Sequence, residues 1–452
     1  MIIDKNSDKF KEECGVFGIF SERELDISTL AFHALSTLQH RGQESCGIAL
    51  SDGNHLQSCK GMGLVSEVFN KKEFNNLQGK AAIGHVRYST SGRSNLQNAQ
   101  PLLAKLQERE IAIAHNGHLT NSLFYKNELL KKGVKFKTTS DSEVFLKMLE
   151  QEAGKTFEES IITVMKKLKG GYAVVILFND RLIGIRDPEG IRPLCLGKLD
   201  NNYIFCSESC TLDSLGAELI RDVAPGEVVA ITEEGWSSVS YGDNVRCATC
   251  AFEYIYFARQ DSVIDGVNVY SSRVLAGQEL FKEHPVKADI VIGVPDSGLA
   301  AAIGYSKASG IDYEMGFAKN NYIGRTFIQP SKKIRERDIS LKLNVIKKNV
   351  QGKRVVVVDD SIVRGNTSKK IVALLKKAGA AQVHFRVASP VIKKPCYLGI
   401  DTKYKKELIG SSKSISEIRD YIGADSLGYL SIDSFLKALQ GKREACLKCF
   451  GF

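Results

Sequence analysis

No stretch of the sequence approaches the ~20 consecutive apolar residues that a membrane-spanning helix needs. The opening Met1 to Glu13, MIIDKNSDKFKEE, is charged throughout and lacks the apolar centre of a secretory signal. These absences exclude membrane insertion and export, and predict a soluble, cytoplasmic protein with no membrane partner. Pro-rich and Ser-rich linkers, internal repeats and low-complexity tracts are also missing, so domains are expected to pack tightly. Neither GxxxxGKS nor GxxxxGKT occurs, which excludes a Walker phosphate loop. Basic residues outnumber acidic ones, 62 to 52, but are scattered in pairs such as Lys131-Lys132, Lys332-Lys333 and Lys347-Lys348. Without a basic stripe or interleaved aromatics, nucleic acid is not an expected partner, whereas a mild positive field suits anionic metabolites. Eleven cysteines in a signal-less chain argue against a disulfide framework and for buried thiols, a nucleophile or metal ligands in a reducing compartment.

What is present divides in two. A length of 452 residues exceeds one ordinary core. The first half alternates short apolar runs with turn signals, as in GVFGIF, SCGIAL, AAIGHVRYS, IAIAHNG, GYAVVILF and EVVAITE. Helical segments are expected at about Leu25 to Leu38 and Ser142 to Leu149, which predicts sheets sandwiched with helices. From about Asp289 the rhythm becomes strand, Gly-containing loop, helix, repeated, the pattern of a parallel sheet. The Gly/Asp/Asn turn near Tyr241 to Asn244 marks the boundary, giving domains of 14–243 and 244–452 behind an N-terminal segment of 1–13.

Val355 to Ser368, VVVVDDSIVRGNTS, is the most specific segment. Four β-branched residues suit a strand buried on both faces. Ile371, Val372, Leu374, Leu375 and Ala378 then give one apolar helix face. The intervening loop sits at a helix N-terminus, where backbone N–H groups from Ser361 to Thr367 can surround a phosphate, helped by both hydroxyls. Ser361, Val363, Arg364, Gly365 and Thr367 are the candidate binding positions. Asp359 and Asp360 would repel phosphate and suit ribose hydroxyls or a Mg²⁺ ion instead. An ordinary strand and helix joined by a solvated acidic turn is the plainer reading. The segment closely resembles the phosphoribosyl pyrophosphate (PRPP) motif of type I phosphoribosyltransferases. That resemblance implies pyrophosphate and metal contacts at Pro295 to Gly298, with Ser297, Asp359 and Asp360 at the Mg²⁺ positions. It also implies a closing loop at Asn320 to Gln329 whose Arg325 faces developing pyrophosphate charge.

Cys14 heads the run CGVFGIF, and LQHRGQESCGIAL, GHVRYSTSG, AHNGHLTN and TTSDSEV follow in order. The set resembles the N-terminal-nucleophile glutamine amidotransferases. In that family the cysteine thiol attacks the glutamine amide and the cysteine's own α-amino group is the base, its pKa near ~7.7–8.0 suiting neutral pH. An amide nitrogen cannot serve, so residues 1–13 are expected to be a propeptide removed before activity. The resemblance assigns Arg87 to the glutamine α-carboxylate, Asp141 to the α-ammonium, and Asn116 and Gly117 to the oxyanion hole. Asn-Gly is also the commonest hairpin-turn signal. His85 and His115 are expected to orient rather than catalyse, and RGQES at Arg41 to Ser45 to support the nucleophile.

Together the halves resemble the amidophosphoribosyltransferase family. This implies an α+β N-terminal-nucleophile domain, an αββα sandwich, followed by an α/β type I phosphoribosyltransferase domain. The implied reaction takes PRPP, glutamine and water to 5-phosphoribosylamine, pyrophosphate and glutamate, with ammonia channelled between the sites. It also implies purine nucleotides as feedback inhibitors and a homotetramer. Cys250, Cys396, Cys446 and Cys449 match the ligands of the family's 4Fe-4S branch. Spacing leaves a zinc site of Cys247, Cys250, Cys446 and Cys449 open. A non-catalytic PRPP-sensing regulatory protein is the rival function; it need not keep Cys14, Arg87, Asn116 and Asp141 together.

Overall fold

The computed structural model describes residues 14–21, 25–69, 79–88, 94–106, 109–152, 155–178, 181–242, 245–320, 343–400, 402, 404–441 and 444–452. The first half builds two stacked antiparallel sheets. The seven-stranded sheet runs, in spatial order, Glu218–Asp222, Cys195–Leu199, Asn202–Cys206, Gly15–Phe20, Ala81–Arg87, Ser45–Ser51 and Leu56–Met62. The six-stranded sheet runs Gly235–Ser240, Glu227–Thr232, Arg181–Arg186, Gly170–Phe178, Arg109–Leu119 and Leu102–Leu106.

Strand alternation sorts the side chains into three apolar layers. Val16, Phe20 and Ile83 meet Ala112, Ala114, Val175 and Leu177 between the sheets. Phe17, Ile19 and Ile48 face outward onto Ala31 and Leu35 of the helix Ile27–Thr37. On the opposite outside, Ile113, Ile176 and Ile183 pack against Phe145 and Leu149 of Asp141–Leu149 and Val164 of Phe157–Lys167. This is the αββα sandwich. The sheets approach closely: a Cβ on Gly18 would lie 2.7 Å from Val175 Cγ1.

The second half carries a four-stranded parallel sheet in the order Ile290–Gly293, Arg354–Asp359, Gln382–Val387, Ser426–Tyr429. Its four-valine run divides by period two, Val356 and Val358 to one face and Val355 and Val357 to the other. Helices Val269–Glu283 and Gly298–Ser309 cover the first face. They pack backbone to backbone, since a Cβ on Gly277 or Gly304 would fall 1.9 Å from a carbonyl oxygen of the other helix. Asn366–Lys377 and Ile415–Ile422 cover the second face.

The halves are joined by buried charge. The Arg41 guanidinium bonds Glu208 at 2.5 Å and Glu253 at 2.7 and 2.9 Å, with all three side chains fully buried. Arg186 pairs with Asp265 at 2.7 Å, and Arg192 Nη2 donates to Leu398 O at 2.7 Å. The C-terminal tail folds back on this junction: Cys446 N donates to Thr249 O at 2.9 Å, and Phe450 stacks on Phe252 at 5.7 Å.

Candidate active sites

Cys14 immediately precedes the strand Gly15–Phe20, whose pairing with Ala81–Arg87 sets Gly15 opposite Val86 and Val16 opposite His85. The thiol is buried and donates to Tyr88 O at 3.4 Å. Burial pushes its pKa up, opposed by that hydrogen bond and by the charge of Arg87. The Cys14 carbonyl accepts from Arg41 Nε at 3.0 Å, so the RGQES segment holds the backbone at Cys14. Its Gly42 lies against Arg87: a Cβ there would sit 2.5 Å from Arg87 N. Arg87 itself is buried at the end of its strand.

Asn116 and Gly117 lie within the strand Arg109–Leu119, paired with Ala173 and Tyr172, so the hairpin-turn reading of Asn-Gly does not hold. Asn116 is fully buried, and neither its amide oxygen nor its nitrogen has a hydrogen-bond partner among the described residues. Such orphaned groups are costly in a folded interior. Gly117 has φ +133°, and a Cβ on it would fall 2.1 Å from Gly171 O, so only glycine fits. The pair is tied through His115, whose carbonyl lies 3.1 Å from His85 Nε2, to the strand Ala81–Arg87 that pairs with Gly15–Phe20.

Asp141 opens the helix Asp141–Leu149, capped by Ser140. Its Oδ2 accepts from Leu119 N at 2.9 Å and lies 3.3 Å from His118 Nδ1. Burial works against the carboxylate, but the His118 hydrogen bond, the charges of His115 and His118, and the Leu119 N–H hold its pKa at about 2. His85 is the reverse case: burial lowers it to about 3 and keeps it neutral. His115 is lowered for the same reason and bonds Ser142 Oγ at 2.9 Å and, through its N–H, Gln100 Oε1 at 2.7 Å. Sequence reasoning missed Gln100, Ser142, His118 and the two carboxylates on Arg41, because no local spacing announces contacts between separate strands.

In the second half, Asp359 ends the strand Arg354–Asp359 and Asp360 follows, both buried. Hydroxyls of Ser297 and Ser361 donate to the two Asp360 oxygens, so the Pro295–Gly298 loop and the Val355–Ser368 segment converge at the carboxyl ends of adjacent parallel strands. This is where open parallel sheets bind ligands. Gly365, at φ +82°, caps the helix Asn366–Lys377, and Thr367 lies in its first turn. A Cβ on Gly365 would lie 2.9 Å from Ile409 Cδ1, so the loop is pinned from behind. Val363 O accepts from Ile409 N at 2.9 Å. Arg364 is held by Glu407 at 2.5 Å, a partner the sequence did not announce. Arg325 lies outside the described residues. Two carboxylates and a hydroxyl are the hard oxygen donors that Mg²⁺ prefers.

The cysteines separate into groups. The backbones at Cys250 and Cys446 pair in an isolated parallel β-bridge, with both thiols free. Cys250, buried beside Arg192, has its thiol pushed up by burial and further by Cys446, Cys396 and Cys449. Cys449 is likewise raised by burial and by Cys396 and Cys446. Cys247 instead contacts Thr249 Oγ1 at 3.8 Å and acts on Arg186 and Tyr254. Among the described residues, no three His, Cys, Asp or Glu side chains converge tightly enough for a single metal ion.

A buried Asn-Gly pair in mid-strand beside a cysteine-headed sheet, followed by an acidic strand end and loop leading into a helix on a parallel sheet, is the arrangement of a glutamine amidotransferase fused to a phosphoribosyltransferase. Residues 85–214 match the glutamine amidotransferase domain family, and residues 272–420 the phosphoribosyl transferase domain family. The chain is 50% identical to an amidophosphoribosyltransferase of Archaeoglobus fulgidus, over 96% of each. It is 46% identical to that of Bacillus subtilis, over 97% of this chain and 93% of the other. It superimposes with a TM-score of 0.92, at 45% identity, on the glutamine PRPP amidotransferase of B. subtilis solved with ADP and GMP, covering 97% of this chain and 96% of that one. The chain belongs to the amidophosphoribosyltransferase family. It is an enzyme that makes 5-phosphoribosylamine, pyrophosphate and glutamate from PRPP, glutamine and water, the first committed step of purine synthesis. The rival reading as a non-catalytic sensor falls with this. No helix among the described residues is long and apolar enough to cross a membrane.

Proposed function

We propose the following division of labour for that reaction. With residues 1–13 removed, the Cys14 α-amine takes the thiol proton, and the thiolate attacks the glutamine side-chain carbonyl. Arg87 holds the α-carboxylate and Asp141 the α-ammonium. Negative charge developing on the carbonyl oxygen goes to the Asn116 amide N–H and the Gly117 backbone N–H. Ammonia leaves with the proton returned by the α-ammonium group of Cys14, and water then releases glutamate from the thioester. The orphaned Asn116 amide is the observation that carries this reading, because a buried donor without a partner is what an oxyanion site requires before its ligand arrives.

In the second site the loop bearing Ser361, Val363, Arg364, Gly365 and Thr367 takes the PRPP 5-phosphate, and the family resemblance assigns Arg325 to the pyrophosphate. Asp359, Asp360 and Ser297 bind ribose hydroxyls or Mg²⁺, which when bound stabilises the departing pyrophosphate. Ammonia attacks C1 as that group leaves. A narrow cavity lined by Tyr254, Arg273, Ser297 and Asp360 supports arrival from the domain junction. Cys250, Cys396, Cys446 and Cys449 would hold a 4Fe-4S cluster. The action of Cys396 and Cys446 on the thiols of Cys250 and Cys449 supports it. Such a cluster would clip the tail to the junction. The likeness to an enzyme solved with ADP and GMP supports purine nucleotide inhibition here, and a cytoplasmic homotetramer completes the reading.

One experiment tests the two-site assignment: glutamate release with and without PRPP, alongside synthesis from glutamine or from ammonia. Cys14→Ala should abolish the glutamine-dependent activities and leave ammonia-dependent synthesis intact. Equal loss of both would refute it.

A further inference from the structure

A turn of the second half of the chain borders the first site. It belongs to the segment that follows the parallel strand Gln382–Val387, and that segment starts beside the second site, where Ala388 N donates to Asp359 O at 2.9 Å. At its far end a Cβ on Gly399 would lie 3.5 Å from Gly117 C and 2.4 Å from Arg192 Nη2, so the turn touches both. Gly399 has φ +118°, which glycine alone adopts readily. Arg192 is 1% exposed, and its Nη2 donates to Leu398 O at 2.7 Å. Its backbone N–H donates to Asp187 Oδ2 at 3.2 Å, the same oxygen that accepts from Tyr172 N at 3.1 Å. Tyr172 is the strand partner of Gly117. The adjoining Ile191 packs on the same strand, since a Cβ on Gly171 would fall 2.7 Å from its Cγ2. Gly117 is therefore held on two sides, by Gly171 and Tyr172 within the sheet and by Gly399 from outside it.

We propose that the Leu398–Gly399 turn, clamped by Arg192, is a positioning element of the glutamine site: it fixes the Gly117 peptide so that its N–H meets the oxyanion. Gly117 needs such a support. At φ +133° it lies where only glycine fits, and glycine has the widest backbone freedom of any residue. The contact from Gly399 falls on its carbonyl carbon and so restrains that freedom from the side the sheet does not cover. An oxyanion donor acts through its position, and a displacement of about 1 Å costs on the order of 100-fold in rate. Because the turn belongs to the second half, the first site is complete only when the two halves are docked. Arg192 and Gly399 are positioning residues that act through Gly117. Their effect falls on kcat for glutamine hydrolysis, not on the α-carboxylate and α-ammonium contacts that enter KM.

The inference rests on Asn116 and Gly117 as the oxyanion site, and the test separates the two. Gly399→Ala drives the turn off Arg192, and Arg192→Met removes the donor to Leu398 O at similar volume. Both are compared with the wild type and Asn116→Leu in three measurements. These are glutaminase kcat and KM, ammonia-dependent synthesis, and affinity for the γ-aldehyde analogue of glutamine, whose tetrahedral adduct with the Cys14 thiol presents an oxygen to the oxyanion donors. In Gly399→Ala and Arg192→Met, kcat and aldehyde affinity should fall about tenfold or more, while KM and ammonia-dependent synthesis stay within about twofold. Wild-type kcat in either variant overturns the role of the turn, and so does an equal fall in ammonia-dependent synthesis, which would make the turn a support of the second half alone. Aldehyde affinity lost in Asn116→Leu but kept in both turn variants overturns the inference and leaves the oxyanion site in place. Unchanged aldehyde affinity in Asn116→Leu overturns the oxyanion assignment, and the inference with it.

Discussion

Replacing Asn116 by leucine should move activity and stability in opposite directions. The side chain is fully buried and its amide makes no hydrogen bond to any described residue, leaving two desolvated polar atoms without compensation among them. An unsatisfied buried group costs about 1–3 kcal/mol, and leucine, close in shape, removes that cost while adding apolar burial. Asn116→Leu is therefore expected to stabilise the protein by about 1–3 kcal/mol. The same change deletes one oxyanion donor, worth roughly 10²- to 10³-fold in kcat, or about 3–4 kcal/mol of transition-state stabilisation. Urea denaturation gives the first quantity and PRPP-stimulated glutamate release the second. Ammonia-dependent synthesis, which bypasses the oxyanion, should stay within about twofold of wild type. A destabilised Asn116→Leu would mean the amide is satisfied in solution, and near-normal glutaminase activity would remove Asn116 from the oxyanion hole.

Three further outcomes are expected. Asp360→Asn should impair synthesis with either nitrogen donor and abolish stimulation of the glutaminase by PRPP while basal glutamate release survives; an intact PRPP response would take Asp360 out of the site. Cys449→Ser should lose iron and acid-labile sulfide and lower the melting temperature, whereas stoichiometric zinc without sulfide in the wild type would sink the cluster assignment. His85, lowered to about 3 in the fold against ~6.5 for a free imidazole, binds a proton in the unfolded chain before it does in the folded one. Its contribution is thus complete above about pH 6.5 and lost as pH falls toward 3, amounting to roughly 2 kcal/mol by pH 5. Chemical denaturation at pH 8 and pH 5 should show that loss in the wild type and not in His85→Gln; equal slopes would place the proton elsewhere.

Elements with strong periodicity were legible before the structure. The four-valine strand and the helix after it follow from β-branching and one apolar face, and they lie at Arg354–Asp359 and Asn366–Lys377. The helix expected at Leu25 to Leu38 forms over Ile27–Thr37. Ser122–Lys131 and Phe157–Lys167 were not anticipated, although the second carries a readable capping box of Thr156 and Glu159. Asn116-Gly117 misleads in isolation because turn propensity is local, while its placement in mid-strand is fixed by pairing with the strand Gly170–Phe178. The Arg364–Glu407 and Arg41–Glu253 pairs join residues far apart in the chain, and no spacing rule reaches that far.

Those distant pairs bear on why two chemistries share one chain. Arg41 bonds the Cys14 carbonyl with Nε and Glu253 with both terminal nitrogens. One and five residues further, the same segment is held by Arg273, whose Nε donates to Tyr254 O at 2.7 Å and Nη2 to Ala258 O at 2.9 Å. Arg273 is buried, which lowers its pKa to about 10, and the charge of Asp360 acts against that shift. Residues 253–258 are thus fastened to the nucleophile's backbone at one end and to a cation facing the PRPP site at the other. A buried ion pair contributes little net stability over apolar packing, but removing one partner costs several kcal/mol. The arrangement therefore penalises relative displacement of the two sites far more than it stabilises the fold. A junction held in this way suits the proposed passage of ammonia from the first site to the second.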